Sequence, residues 1–66
     1  MHLTINGHIK EFQEGVTIEA ILKELDLSTR VMAAAVNMQI VKQNEWESYV
    51  LKDGDKLELL DFVGGG

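Results

Sequence analysis

The sequence contains no cysteine. That excludes disulfides, thiolate zinc sites and a cysteine nucleophile. Basic residues are few: six Lys and Arg stand against eleven Asp and Glu, for a formal net charge of −5. No basic stripe is present to release counterions from phosphates, which argues against nucleic-acid binding. The acidic balance favours a basic protein partner only weakly, since many soluble proteins are acidic for solubility. No apolar run approaches the roughly 20 residues that span a bilayer. Met1-His2-Leu3-Thr4 has no basic segment followed by an apolar one, so no signal peptide is read and a cytoplasmic location is expected. At 66 residues a two-domain reading is out. A chain of this size buries only about 60% of the surface it exposes when unfolded, so its core is small. With 45% hydrophobic and 26% charged residues, the composition is that of a globular domain.

The residues that are present read as short, well-marked elements. Leu3 and Ile5 alternate with polar neighbours as on one face of a strand. Asn6-Gly7 follows, the strongest short hairpin signal. His8 to Phe12 reads as the return strand, although Ile9 and Phe12 have opposite parity. A bulge or an early strand end near Glu11 would reconcile them. Thr17 suits a helix N-cap. Ile18, Ile21, Leu22 and Leu25 then form the apolar stripe of an amphipathic helix that ends near Leu25 to Leu27. Val31 to Val36 is apolar throughout and short, so a buried strand is expected. Its three alanines would let the helix pack closely. Ile40-Val41 reads as a short strand, Asn44-Glu45-Trp46 as a helical turn capped by Asn44, and Asp53-Gly54-Asp55 as a turn. Lys56-Leu57-Glu58-Leu59 alternates cleanly and begins the last strand.

The order is strand, strand, helix, strand, short strand, strand. Leu57 and Leu59 are buried best if the last strand sits centrally beside the first. The expected fold is therefore α+β: a β-grasp mixed sheet of four to five strands with one main helix packed on one face. Residues 1–63 form that domain and residues 64–66 a glycine tail.

Half of the six glycines close the chain as Gly64-Gly65-Gly66. Glycine loses more entropy on ordering than any other residue, so such an end adds nothing to a core. It reads either as a frayed or added end or as a probe. Without Cβ atoms it can thread a narrow slot, and three extended residues reach about 10 Å. A free terminal carboxylate is an anion at neutral pH. It resists nucleophiles and needs activation, most simply as an acyl-adenylate made from ATP. Nothing in the chain offers a phosphate loop, a metal cluster or a base–nucleophile pair, so that chemistry would belong to a partner.

Taken together, several segments resemble the ThiS family of sulfur carrier proteins in thiamin biosynthesis. They are the Leu-Thr-Ile-Asn-Gly opening, Gly15-Val16-Thr17-Ile18 with Leu22 and Leu25, and Ala35-Val36-Asn37. Ile40-Val41 with Trp46, Asp53-Gly54-Asp55, and Leu57 and Leu59 running into Phe62-Val63-Gly64-Gly65-Gly66 complete the set. One departure is Lys42-Gln43, where members commonly carry Pro-Arg; this chain has no proline. The resemblance implies a β-grasp, ubiquitin-like fold and a carrier that is not itself an enzyme. It implies that the Gly66 carboxylate is adenylated by a ThiF-like adenylyltransferase, with ATP used by that partner and no cofactor or metal bound by the chain. Sulfur from a cysteine-desulfurase persulfide then gives a thiocarboxylate, and a ThiG-like thiazole synthase receives the sulfur. A free monomer, with no nucleic acid or membrane partner, is expected. Two alternatives stay open: a sulfur carrier like the small subunit of molybdopterin synthase, and a ubiquitin-like protein modifier.

Other residues weigh in differently. His2 and His8 share parity on one hairpin, which would let them face each other, but two ligands without support make a poor metal site. Trp46 is expected to cap the core, and Met32 and Met38 to fill it. Leu60 and Phe62 use the face opposite Leu57 and Leu59, unless a local bulge turns Phe62 into the core. With Val63, Gly64 and Gly65 they are the expected partner-binding residues. Asp55, Glu58 and Asp61 would meet basic groups on a partner or line a solvated face.

Overall fold

The first hairpin takes the geometry its turn residues require in the structure, a computed structural model that describes residues 1–61. Asn6 and Gly7 both have positive φ, 48° and 86°. This is the type I′ turn, whose twist matches that of the flanking strands. It joins β1 (His2–Ile5) to β2 (His8–Glu11), antiparallel, with Ile5 opposite His8 and His2 opposite Glu11. The two histidines therefore lie on opposite faces of the sheet and do not meet. β2 ends at Glu11 without a bulge. Ile9 sits on the outer face, 74% exposed, and Phe12 turns into the core beyond the strand end.

Helix α1 (Ile18–Glu24) starts where the cap residue predicts. The Thr17 hydroxyl accepts from the Ala20 N–H at 3.1 Å. The N–H groups of Ile18 and Glu19 donate to the carbonyls of Tyr49 and Trp46 at 3.2 and 3.1 Å. The first three helical donors are thus all satisfied within the protein, as an interior helix start requires. Ile18, Ile21 and Leu22 are buried in the core. The C-terminal end is a Schellman motif: Leu27 N–H donates to the Leu22 carbonyl (2.7 Å) and Asp26 N–H to the Lys23 carbonyl (3.1 Å). Asp26 takes φ 60° at the position usually held by glycine.

β3 (Val31–Val36) and β4 (Gln39–Val41) form a second hairpin. A 3₁₀ turn (Gln43–Glu45) follows and delivers Trp46 to the core. Its N-cap position is Lys42, with no side-chain cap, so the expected capping by Asn44 is not realised. The Trp46 indole N–H is buried and donates to the Val41 carbonyl at 2.8 Å, which satisfies its one polar atom. Trp46 closes the core as expected.

β5 (Lys56–Asp61) completes a five-stranded mixed sheet of order β2-β1-β5-β3-β4. It runs parallel to β1 and antiparallel to β3. The last strand is central, as the burial of Leu57 demands, and α1 covers one face. This is the β-grasp architecture. Leu3, Ile5, Ala34, Val36, Val41 and Leu57 share one buried cluster with the helix stripe, Leu51 and Trp46.

Two expectations about packing are corrected. Only Ala34 of the three alanines faces the core; Ala33 and Ala35 are half-buried on the opposite face. Strand alternation separates them, so the run is not a collective seat for the helix. Met32 and Met38 do not fill the core either, being 58% and 90% exposed. Met32 is the extra residue of a bulge, since Val31 pairs with Asp61 but Ala33 with Leu60. Met38 stands at the tip of the β3–β4 turn.

Candidate functional site

The strand that leads to the terminal glycines is held on both edges. At its start, the Asp53-Gly54-Asp55 turn docks on β1: His2 N–H donates to the Asp53 carboxylate at 2.7 Å, and Thr4 N–H to the Asp55 carbonyl at 3.0 Å. The Asp55 carboxylate accepts from the Asn37 amide (2.9 Å) and from the Lys52 N–H (2.8 Å). It is used inside the fold rather than presented along a strand face. Asn37 also accepts from the Lys56 N–H through its side-chain oxygen at 3.0 Å and donates its own N–H to the Lys56 carbonyl at 2.8 Å. The Ala-Val-Asn and Asp-Gly-Asp segments are therefore two halves of one junction.

Further along, β1 has turned away at Asn6, and the β1-side edge of β5 needs other partners. Asn6 supplies them. Its side-chain oxygen accepts from the Leu59 N–H at 2.7 Å and its amide donates to the Leu59 carbonyl at 3.3 Å.

The outer face of the sheet carries the accessible apolar surface. Leu60 is 59% exposed there, while Leu57 is fully buried and Leu59 half-buried toward the helix side. A shallow groove of about 280 Å³ runs beside it, lined by Ala33, Ala35, Ile40, Glu58 and Leu60. The alanines form a low floor because they carry only a methyl group. Ile40, 74% exposed, and Leu60 flank it, and Glu58 contributes a negative charge. Patches of this kind on a small domain mark interaction sites. Of the partner-binding residues expected from the sequence, Leu60 lies on this face. Phe62, Val63, Gly64, Gly65 and Gly66 lie outside the described residues. Ala33, Ala35 and Ile40 went unnoticed in the sequence. Their signal was available in the shared parity of Ala33 and Ala35, opposite to the buried Ala34 and Val36.

Among the described residues no group of His, Asp and Glu is arranged to hold a metal. No described helix is long and apolar enough to cross a membrane.

Known proteins resemble this chain over its whole length. The sulfur carrier protein ThiS of Escherichia coli is 30% identical over 66 residues, covering 100% of both chains. A thiazole synthase of Paramagnetospirillum magneticum is 41% identical over 66 residues, and the present chain spans 20% of its length. The crystal structure of the thiamine biosynthesis protein ThiS from Geobacter metallireducens matches with a TM-score of 0.82 at 28% identity, covering 100% of both chains. A sequence profile of the ThiS family matches residues 3–66, and the chain belongs to that family.

Proposed function

We propose that this chain is a sulfur carrier of thiamin biosynthesis whose working group is the carboxylate of Gly66. One observation carries the reading: the strand that precedes the three terminal glycines in the sequence is the central one, tied on both edges, and it borders an exposed apolar groove. A rigid body with a docking face suits a handle for enzymes that act on a side-chain-free end. The full-length similarity to a protein named as a sulfur carrier supports it.

The chemistry follows from the terminus. A carboxylate is a poor electrophile, and a ThiF-like adenylyltransferase would supply ATP. The carboxylate oxygen attacks the α-phosphorus and pyrophosphate leaves. A persulfide sulfur originating from a cysteine desulfurase then displaces AMP, and a thiol cleaves the resulting acyl disulfide to leave a thiocarboxylate. This species stays anionic, and its sulfur is the better nucleophile. A ThiG-like thiazole synthase would accept it. Thiazole synthases in which a stretch like this chain makes up 20% of the length support that partnership. The chain is thus a co-substrate and not an enzyme, and ATP is bound by its partner.

Intact mass tests the proposal. Incubation with the adenylyltransferase, ATP and a sulfur donor should exchange one oxygen for sulfur at the terminus. Adducts on lysines of other proteins would favour a protein modifier instead, and an unchanged mass would leave only an interaction domain. Removing Gly65 and Gly66 should leave the melting temperature nearly unchanged and abolish adenylation. Gly65→Ala should slow activation without unfolding the domain, because the added methyl meets the slot.

A further inference from the structure

We infer that Asn6 is a positioning residue for the reactive terminus, acting through β5. The inference rests on the sulfur-carrier reading for its functional part and on geometry for the rest. Asn6 has two separable tasks. Its backbone, at φ 48°, makes the first residue of a type I′ turn. Its side chain reaches the opposite end of the sequence and takes both hydrogen-bonding groups of Leu59.

The location of this clamp gives it meaning. Backbone pairing between β1 and β5 ends at Ile5 and Leu57, with the Asn6 N–H donating to the Leu57 carbonyl at 3.0 Å. Two residues on, the same edge of β5 would have no neighbouring strand. A primary amide presents a donor and an acceptor side by side, as a peptide unit does. Asn6 therefore extends the parallel ladder by one step after its own strand has left. The other edge of β5 is held at this level by β3, through Leu60 opposite Ala33. Leu59 and Leu60 are thereby fixed on both sides, at the groove rim, shortly before the terminal glycines. A carrier must place its terminus in a partner's site while its body docks outside. Chain already ordered before docking need not be ordered during it, which favours binding.

A second asparagine provides the control. Asn37 begins the other type I′-like turn, at φ 49°, and also grips β5 with its side chain. It grips Lys56, at the start of the strand and far from the terminus. If a clamp on β5 mattered only for stability, the two asparagines would be equivalent. If trajectory matters, only Asn6 affects transfer.

The experiment compares Asn6→Gly, Asn37→Gly and the unmodified chain. Glycine keeps the positive φ of each turn and removes each clamp. Hydrogen exchange at the Leu59 amide is read first, without any partner. Asn6→Gly should accelerate it about fivefold to tenfold, the span of one or two modest hydrogen bonds. Asn37→Gly should leave it near its original rate. Steady-state adenylation with a ThiF-like enzyme is read second. Asn6→Gly should raise KM about threefold to tenfold with kcat nearly constant, the signature of lost ground-state binding. Asn37→Gly should leave KM unchanged.

Unchanged exchange at Leu59 overturns the clamp. Faster exchange with an unchanged KM overturns the positioning role, and so do equal KM increases in both variants. If Asn6→Gly does not fold, Asn6→Asp keeps the acceptor for the Leu59 N–H and removes the donor, and a KM equal to that of the unmodified chain then counts against the inference. Failure of the unmodified chain to be adenylated at all would instead sink the carrier reading, and the positioning role with it; the exchange measurement would still decide whether Asn6 holds Leu59.

Discussion

Leu57 and Leu60 are three residues apart on β5, one fully buried and the other 59% exposed. They sample the two faces of one sheet. The helix-side face packs Leu3, Ile5, Ala34, Val36 and Leu57 against Ile18, Ile21 and Leu22. The outer face carries Ile9, Ala33, Ala35, Ile40 and Leu60, with charged residues between. The backbone hydrogen bonds serve both faces alike, so the difference lies in the side chains. In a chain of 66 residues one face has to supply nearly the whole core. The other is then free to keep apolar surface for a partner. This division teaches that stability and recognition are physically separable in this domain, and mutations should separate them.

The sharpest break should come at Leu57. Leu57→Ala removes a fully buried side chain at the centre of the sheet and should cost about 2–5 kcal/mol in a urea melt. A cost below about 1 kcal/mol would mean that the helix-side face is not the source of stability. Trp46→Phe comes next. It leaves the Val41 carbonyl without its indole donor and opens a small void, for an expected loss of about 1–3 kcal/mol in the same measurement.

Leu60→Thr should cost no more than about 0.5 kcal/mol, since the site is exposed and threonine suits a strand. It should nonetheless weaken docking to the activating enzyme proposed above, read as a higher KM. A large stability loss with unchanged KM would reverse the roles assigned to the two faces. The smallest effect is a gain. Met38 is held at φ 74° and is 90% exposed. Met38→Gly should relieve that backbone and stabilise the domain by about 0.5 kcal/mol, seen as a slightly higher melting temperature.

Met38 also shows where sequence reading stops. Asn6-Gly7 announces its turn because glycine pairs with asparagine there. Asn37-Met38 adopts the same signs of φ, 49° and 74°, with a residue that disfavours them. The strands on either side impose that turn, since Val36 must meet Gln39. Asp26 is a similar case at the end of α1, where local preference would ask for glycine. The helix start at Thr17, the stripe of Ile18, Ile21 and Leu22, and the central place of the last strand were all legible. Each rests on periodicity, capping or burial within a few residues. The candidate site was legible only in part. Alternation placed Leu60 opposite Leu57, but it did not reveal that Ala33, Ala35 and Ile40 complete a groove with it. Nor did it show that the Asp55 carboxylate is taken up by Asn37 and Lys52.

The sequence by itself determined the elements, their order and the glycine end, because hydrophobic period, turn residues and caps act between near neighbours. It also carried enough of the family pattern to point to a carrier. Only the tertiary structure decided which alanine faces the core, where Met32 bulges out, and that Asn6 and Asn37 each grip β5 from a turn. Asn6 and Leu59 are 53 residues apart. Their contact exists because a parallel pairing brings the first and last strands together, and the spacing of residues along the sequence does not encode that pairing.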